Sequence, residues 1–236
     1  MNKLKTEAIR EEFIRKYKAK DFRNINDNVC LEIQNANFIA DKDWIVREPN
    51  YDYAKQEIKW YESQSLFVED IPGKTPKIWE ACADKEGKIN SNYGWCIFSN
   101  ENGNQYKNCI RTLIKDPHSR QAVMIYNRPS IYKDAFENGR HDFICTFSTQ
   151  VFLNEKVSDL KNDTRQYYEL DYIVYMRSCD AIYGYNNDVL WAKYVQNKLC
   201  KDLNEKFEYK IFVKPGTIYW NAGSLHVYER HFKFLE

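Results

Sequence analysis

Residues 171–188 pass from a β-favouring stretch into an amphipathic helix, and that order limits the fold more than any other segment of the chain. Tyr172, Ile173, Val174 and Tyr175 predict a strand over 171–177. Gly184 marks a turn, and Ala192, Val195, Leu199 and Leu203 form the apolar stripe of a helix over 189–207. Strand and helix patterns both occur along the chain, which therefore reads as mixed α/β. Polar groups gather at the junction: Arg177 and Ser178 at the strand end, Asp188 where the helical pattern begins. A guanidinium is a bidentate phosphate ligand, and a carboxylate some way off accepts from an amino-bearing base edge. The junction therefore suits a nucleotide. Asp at a helix start is also a preferred N-cap, which accounts for Asp188 equally well.

Length and charge narrow the partner. The 236 residues contain no Pro/Gly/Ser-rich linker and read as one domain, 1–236. Lys and Arg number 35 against 34 Asp and Glu, a net charge of +1, without the basic excess that neutralises duplex phosphates. A nucleotide monomer fits that balance and direct DNA binding does not. The 7 cysteines include no C-x-x-C pair, and the 4 histidines are not spaced as metal ligands, so no metal and no disulfide framework are expected. The start lacks the apolar core of a signal peptide and no run is long enough for a membrane span, which points to the cytoplasm.

The remaining pattern fills out the domain. Ile9, Phe13 and Tyr17 predict a helix over 4–19, and short strands are expected at 29–33 and 37–40. Helical spacing over 53–61 carries Glu57, by itself one of many surface carboxylates. Thr75 is a candidate N-cap with Pro76 in the first helical position. A polar loop spans 87–94, and Arg120 enters a strand at 122–126. The alternation over 143–153 predicts a central strand containing Cys145. Residues 154–169 read as an exposed connection, 209–213 and 217–221 as strands about a turn at 214–216, and 225–231 as a closing helical run.

An ordered series of short motifs goes further than spacing. It begins at Glu57 to Trp60, continues through Ile78, Trp79 and Glu80, then Asn92, Tyr93 and Gly94, then Asp116 to Arg120. It goes on through Cys145 with Gln150, and Arg177, Ser178 and Asp180 with Gly184, and ends at Gly223 to Tyr228. The series resembles the thymidylate synthase family. Thr146, residues 65–68, residues 72–76 and the pair Asn187 and Asp188 are similar to the branch that hydroxymethylates deoxycytidylate (dCMP) in T-even-type bacteriophages.

The resemblance implies a mixed β-sheet flanked by helices, one sheet face used for homodimerisation, and 5,10-methylenetetrahydrofolate as co-substrate. Cys145 is then the nucleophile at C6 of the pyrimidine, helped toward thiolate by Arg177 or Arg120. C5 takes the methylene, and water completes the hydroxymethyl group. Glu57 orders water and moves protons. Arg177 and Ser178 bind phosphate, Arg120 reaches the partner subunit's site, and Gln150 joins the substrate residues. His226 and Tyr228 meet the deoxyribose 3'-hydroxyl, Asp180 faces the pterin and takes part in catalysis, and Trp79 and Tyr93 wall the folate side. An ionised Asp188 offers only acceptors and so favours the cytosine amino group over uracil O4. A one-residue shift would put Asn187 there and reverse the base preference. Departures from the family pattern are Gln121 in place of a second Arg, the longer stretch 154–169, and a chain ending at Glu236 without the tail that closes over folate. The alternative activities are a dUMP-directed methylase or hydroxymethylase, and a non-catalytic nucleotide- or RNA-binding scaffold.

Overall fold

The computed structural model describes residues 4–25, 28–157 and 165–236. Seven α-helices occur among them: α1 (Thr6–Lys18), α2 (Tyr51–Ser63), α3 (Lys77–Cys82), α4 (Tyr93–Phe98), α5 (Gln105–Lys115), α6 (Ile131–Glu137) and α7 (Gly184–Lys206). The strands are β1 (Arg23–Ile25), β2 (Asn28–Ile39), β3 (Val123–Ile125), β4 (Thr146–Lys156), β5 (Gln166–Asp180) and β6 (Ile211–Tyr228). They form one sheet in the order β1-β2-β6-β5-β4-β3. Only β5 and β6 pair in parallel, and α7 supplies the crossover that a parallel pair requires.

One face of the sheet carries the core. Tyr172, Val174 and Met176 of β5 and Ile218, Trp220 and Ala222 of β6 are buried against Val189, Ala192, Val195 and Leu199 of α7 and the neighbouring helices. The helix starts that position polar residues are capped by side chains: Asn50 accepts from Tyr53 N on α2, and Asn92 from Trp95 N on α4. Gly94 lets α4 touch the end of α2, since a Cβ there would lie 1.7 Å from the Tyr61 carbonyl oxygen.

Several local expectations give way to pairing. The strands predicted at 29–33 and 37–40 are one strand, β2, interrupted only at Asn35, where φ is 53°. The turn expected at 214–216 is part of β6, which is continuous from 211 to 228. Pro215 is tolerated because β2 joins β6 only from Tyr219 onward, leaving that side of β6 unpaired at the proline. Residues 225–228 are strand, not helix, because β6 is held there by both β2 and β5; a 3-10 turn, Glu229–Phe234, follows. Both ends of the connection expected at 154–169 are a ladder, with Asn154, Glu155 and Lys156 opposite Glu169, Tyr168 and Tyr167; residues 158–164 lie outside the described ones. The strand predicted over 143–153 begins at Thr146 and is next to an edge strand, so Cys145 sits at a bend before it. Thr75 does not cap α3; Pro76 holds that position and the Thr75 hydroxyl donates to Val68 O at 3.3 Å.

Candidate active site

The carboxyl ends of the parallel pair β5–β6 lie beside the first turn of α7, the place where open α/β sheets bind ligands. Asp180 is in register with His226 and Ser178 with Ser224, and Ala181 N donates to His226 O at 2.9 Å. Arg177, inside β5, turns its guanidinium to the bend before β4. It donates to Ile144 O at 3.2 Å and to Phe143 O, stacks over the Phe143 ring at 5.2 Å, and lies 3.6 Å from Cys145 Sγ. The backbone completes the attachment, with Arg177 N donating to Cys145 O at 2.8 Å. A cation is thus fixed beside the thiol. Its pull on the Cys145 proton has the expected direction, but burial outweighs it and pushes the thiol up to about 11, with Asp188 and Asp142 adding to the rise.

Two carboxyl groups approach from the helices. Glu57 is 4% exposed and accepts from the Tyr53 hydroxyl at 2.8 Å; that hydroxyl accepts from Trp79 Nε1 at 3.1 Å. Burial pushes Glu57 up to about 7, against both hydrogen-bonding partners. Asp188 stands within α7, not at its cap, which is Tyr183 and has no side-chain bond. With Tyr93, Tyr126, Thr146, Thr149 and Trp191 it lines a small internal cavity under the sheet, which Asn187 does not border. Burial, then the charge of Glu57, push Asp188 well above the usual carboxylate range. Both influences act against the ionised Asp188 expected from sequence.

The other residues complete the rim. Asp180 accepts from Ile182 N at 2.7 Å. His226 is 8% exposed, packs edge-on to Tyr228 at 4.8 Å, and has Nδ1 3.5 Å from Ser224 Oγ. Ser224 donates to Glu32, which is also paired with Arg23. Burial lowers the His226 pKa, so the imidazole is neutral near neutral pH. Tyr93 is buried and accepts from the Thr146 hydroxyl at 3.0 Å. Asp142 ties the Cys145 bend to the loop before α4, accepting from Asn90 N at 2.6 Å and Ser91 N at 2.7 Å, and burial pushes it up to about 6.

Arg120 and Gln150 are not brought to this group within the chain. Gln150 lies five residues along from Cys145, roughly 16 Å of strand. It donates to Arg120 O at 2.9 Å, on the sheet face with Val123 and Ile173. Tyr53, Glu32, Ser224 and Asp142 join the site without having been marked by sequence. Tyr53 had a usable signal, its position four residues before Glu57 on one helix. Glu32 had none, because only the pairing of β2 with β6 sets it opposite His226. Among the described residues no three His, Cys, Asp or Glu side chains form a group able to hold a metal, and no helix is long and apolar enough to cross a membrane.

Arg177 thus holds Cys145 at the carboxyl end of a mixed sheet, with Asp188 and Asp142 close enough to act on the thiol. The thymidylate synthase family profile matches residues 45–236, and the chain belongs to that family. The deoxycytidylate 5-hydroxymethyltransferases of Enterobacteria phages T4 and T2 are each 43% identical to it over 220 residues, 93% of this chain and 84% of theirs. The thymidylate synthase of Buchnera aphidicola subsp. Schizaphis graminum (strain Sg) is 23% identical, over 74% of this chain and 59% of its own. The fold is that of the thermostable thymidylate synthase A from Bacillus subtilis, with a TM-score of 0.62 at 19% identity, over 89% of this chain and 72% of that one.

Proposed function

We propose that this chain is a deoxycytidylate 5-hydroxymethyltransferase acting in the cytoplasm on dCMP. The observation that carries the reading is the approach of Arg177 to within 3.6 Å of Cys145 Sγ, with the buried Glu57 and the half-buried Asp188 nearby. The names of the phage relatives at 43% identity support the same choice.

Each residue has a task in this reading. Cys145 loses its proton and adds to C6 of the pyrimidine, which makes C5 nucleophilic. Arg177 and Ser178 bind the phosphate, and the same guanidinium steadies the thiolate as it forms. Neutral His226, with Tyr228, meets the 3'-hydroxyl. Glu57, with a pKa of about 7, is poised to take or give a proton at water beside the base. When bound, 5,10-methylenetetrahydrofolate would supply the methylene that C5 takes up; the C5 proton and tetrahydrofolate would leave, and addition of water to that methylene with release of Cys145 from C6 would give the hydroxymethyl group. The half-buried Trp79 ring and the Asp180 carboxylate suit the flat, amino-bearing pterin, and Tyr93 backs that wall.

Pairing of two chains through the open sheet face would bring Arg120 and Gln150 to the partner's nucleotide. Exposed Val123, Ile125 and Phe147 on and beside that face support it. The near-neutral charge supports a monomeric nucleotide over DNA.

The test is to incubate purified protein with dCMP and methylenetetrahydrofolate and weigh the product. A hydroxymethyl gain supports the reading, a methyl gain supports a synthase, and no turnover overturns it. The pressure against an ionised Asp188 gives a second reading, dUMP as substrate, some weight. A carboxylic acid donates and accepts, so it pairs with N3 and N4–H of cytosine or with O4 and N3–H of uracil. Tritium release from C5-labelled dCMP and dUMP separates the two. Faster release from dCMP assigns cytosine as the base; faster release from dUMP at every pH would assign uracil.

A further inference from the structure

The buried carboxyl of Glu57 is held by a directional chain that has no assigned part in the reaction. The indole Nε1–H of Trp79 can only donate, so at 3.1 Å it occupies a lone pair of the Tyr53 oxygen. The phenolic proton is left to point at Glu57, 2.8 Å away. Burial and the neighbouring carboxylate both keep that proton on Tyr53. Tyr53 and Glu57 are four residues apart on α2, so the helix itself fixes their approach, and Asn50 caps that helix directly at Tyr53 N. We propose that Tyr53 is a positioning residue for Glu57, its hydroxyl aimed by Trp79 so that the carboxyl is held in one orientation. The inference rests on the catalytic part given to Glu57 above.

The surroundings fit such a device. The groups bearing on Glu57 are Tyr53 and Tyr61 from its own helix, Trp79 from α3 and Asp188 from α7. Burial works against the ionised carboxyl, whereas the bonded pair Tyr53 and Trp79 favours it. Trp79 also lies, in that reading, on the folate side of the site, on the six-residue helix α3, where the preceding residue Ile78 is 64% exposed. A displacement of α3 would release the Tyr53 hydroxyl, so the state of Glu57 is tied to the wall that the folate occupies.

Tyr53→Phe removes the hydroxyl and keeps the ring. Two readouts are compared in the parent and the variant: the pH dependence of tritium release from C5-labelled dCMP, and a 13C NMR titration of labelled glutamate carboxyls in the free protein. Glu57→Gln assigns the Glu57 signal and the kinetic limb that belongs to it. Loss of a bond to the ionised form should raise both midpoints by about one pH unit, with KM for dCMP unchanged. A Trp79→Phe variant, which frees the hydroxyl without deleting it, should move them by less. Midpoints that stay in place in Tyr53→Phe would overturn the proposal and leave Tyr53 as packing. A moved NMR midpoint with an unmoved rate limb would also overturn it, and would place the fault in the role given to Glu57. Absence of dCMP turnover in the parent would refute the proposed activity alone, since the NMR titration still reads the bond.

Discussion

At the scale of single residues, the site balances burial against compensating groups. The Cys145 thiol is pushed up to about 11 even with a guanidinium alongside, so Arg177 matters more here than it would beside an exposed cysteine. Arg177→Met should therefore slow alkylation of Cys145 by iodoacetamide at pH 8 roughly tenfold, the effect of about one unit of thiol pKa. Peptide mass spectrometry reads the modified residue, and equal or faster alkylation would contradict this. Glu57 carries the opposite sign of cost. Its folded pKa, about 7, is above the ordinary 4.5, so its ionisation takes stability away as pH rises from 4.5 through 7. Glu57→Gln should be more stable than the parent at pH 8 by about 3 kcal/mol, with the difference closing toward pH 4.5. Urea unfolding at the two pH values checks it; a less stable variant at pH 8 would show that the carboxylate is better compensated than its burial implies. The residues that sequence marked and the structure gathers are those whose type has few other uses in such a motif series: Cys145, Arg177, Asp180, His226. Glu32 and Asp142 escaped because any buried carboxylate looks like a surface one until its partners are known.

At the scale of elements, long amphipathic helices and the apolar strands were legible, while the helices α4, α5 and α6 were not. The 3.6-residue stripe of α7 is a local signal. The strand character of 225–228 is not local, since it comes from pairing with β2 and β5, residues 30–33 and 179–180. Tight contacts between elements were also invisible. At Gly94 the space for a side chain is already filled by the Tyr61 carbonyl, at 1.7 Å from an added Cβ. Gly94→Ala should cost about 3 kcal/mol or more, because backbone has to move to admit the methyl group. It should also weaken nucleotide turnover by displacing Tyr93. Chemical denaturation measures the first effect; a cost below about 1 kcal/mol would mean that α4 shifts freely on α2.

At the scale of the whole molecule, the sheet has one face under helices and one largely open. Ile125 is 57% exposed and Phe147 47%, an apolar surface that a lone domain rarely leaves bare. Ile125→Lys with Phe147→Asp should turn a dimer into monomers in sedimentation velocity and lower dCMP turnover at least tenfold, if Arg120 serves the partner's phosphate. A variant that stays dimeric, or a monomer with full activity, would count against the shared site. The same sheet also fixes an order of assembly. Among the described strands β1 and β2 reach the others only through β6, the last in chain order. During synthesis the first arm must wait, paired only with itself, until residues 211–228 emerge; the strand that brings His226 and Tyr228 to the site is also the one that stitches the early and late parts of the chain into a single sheet.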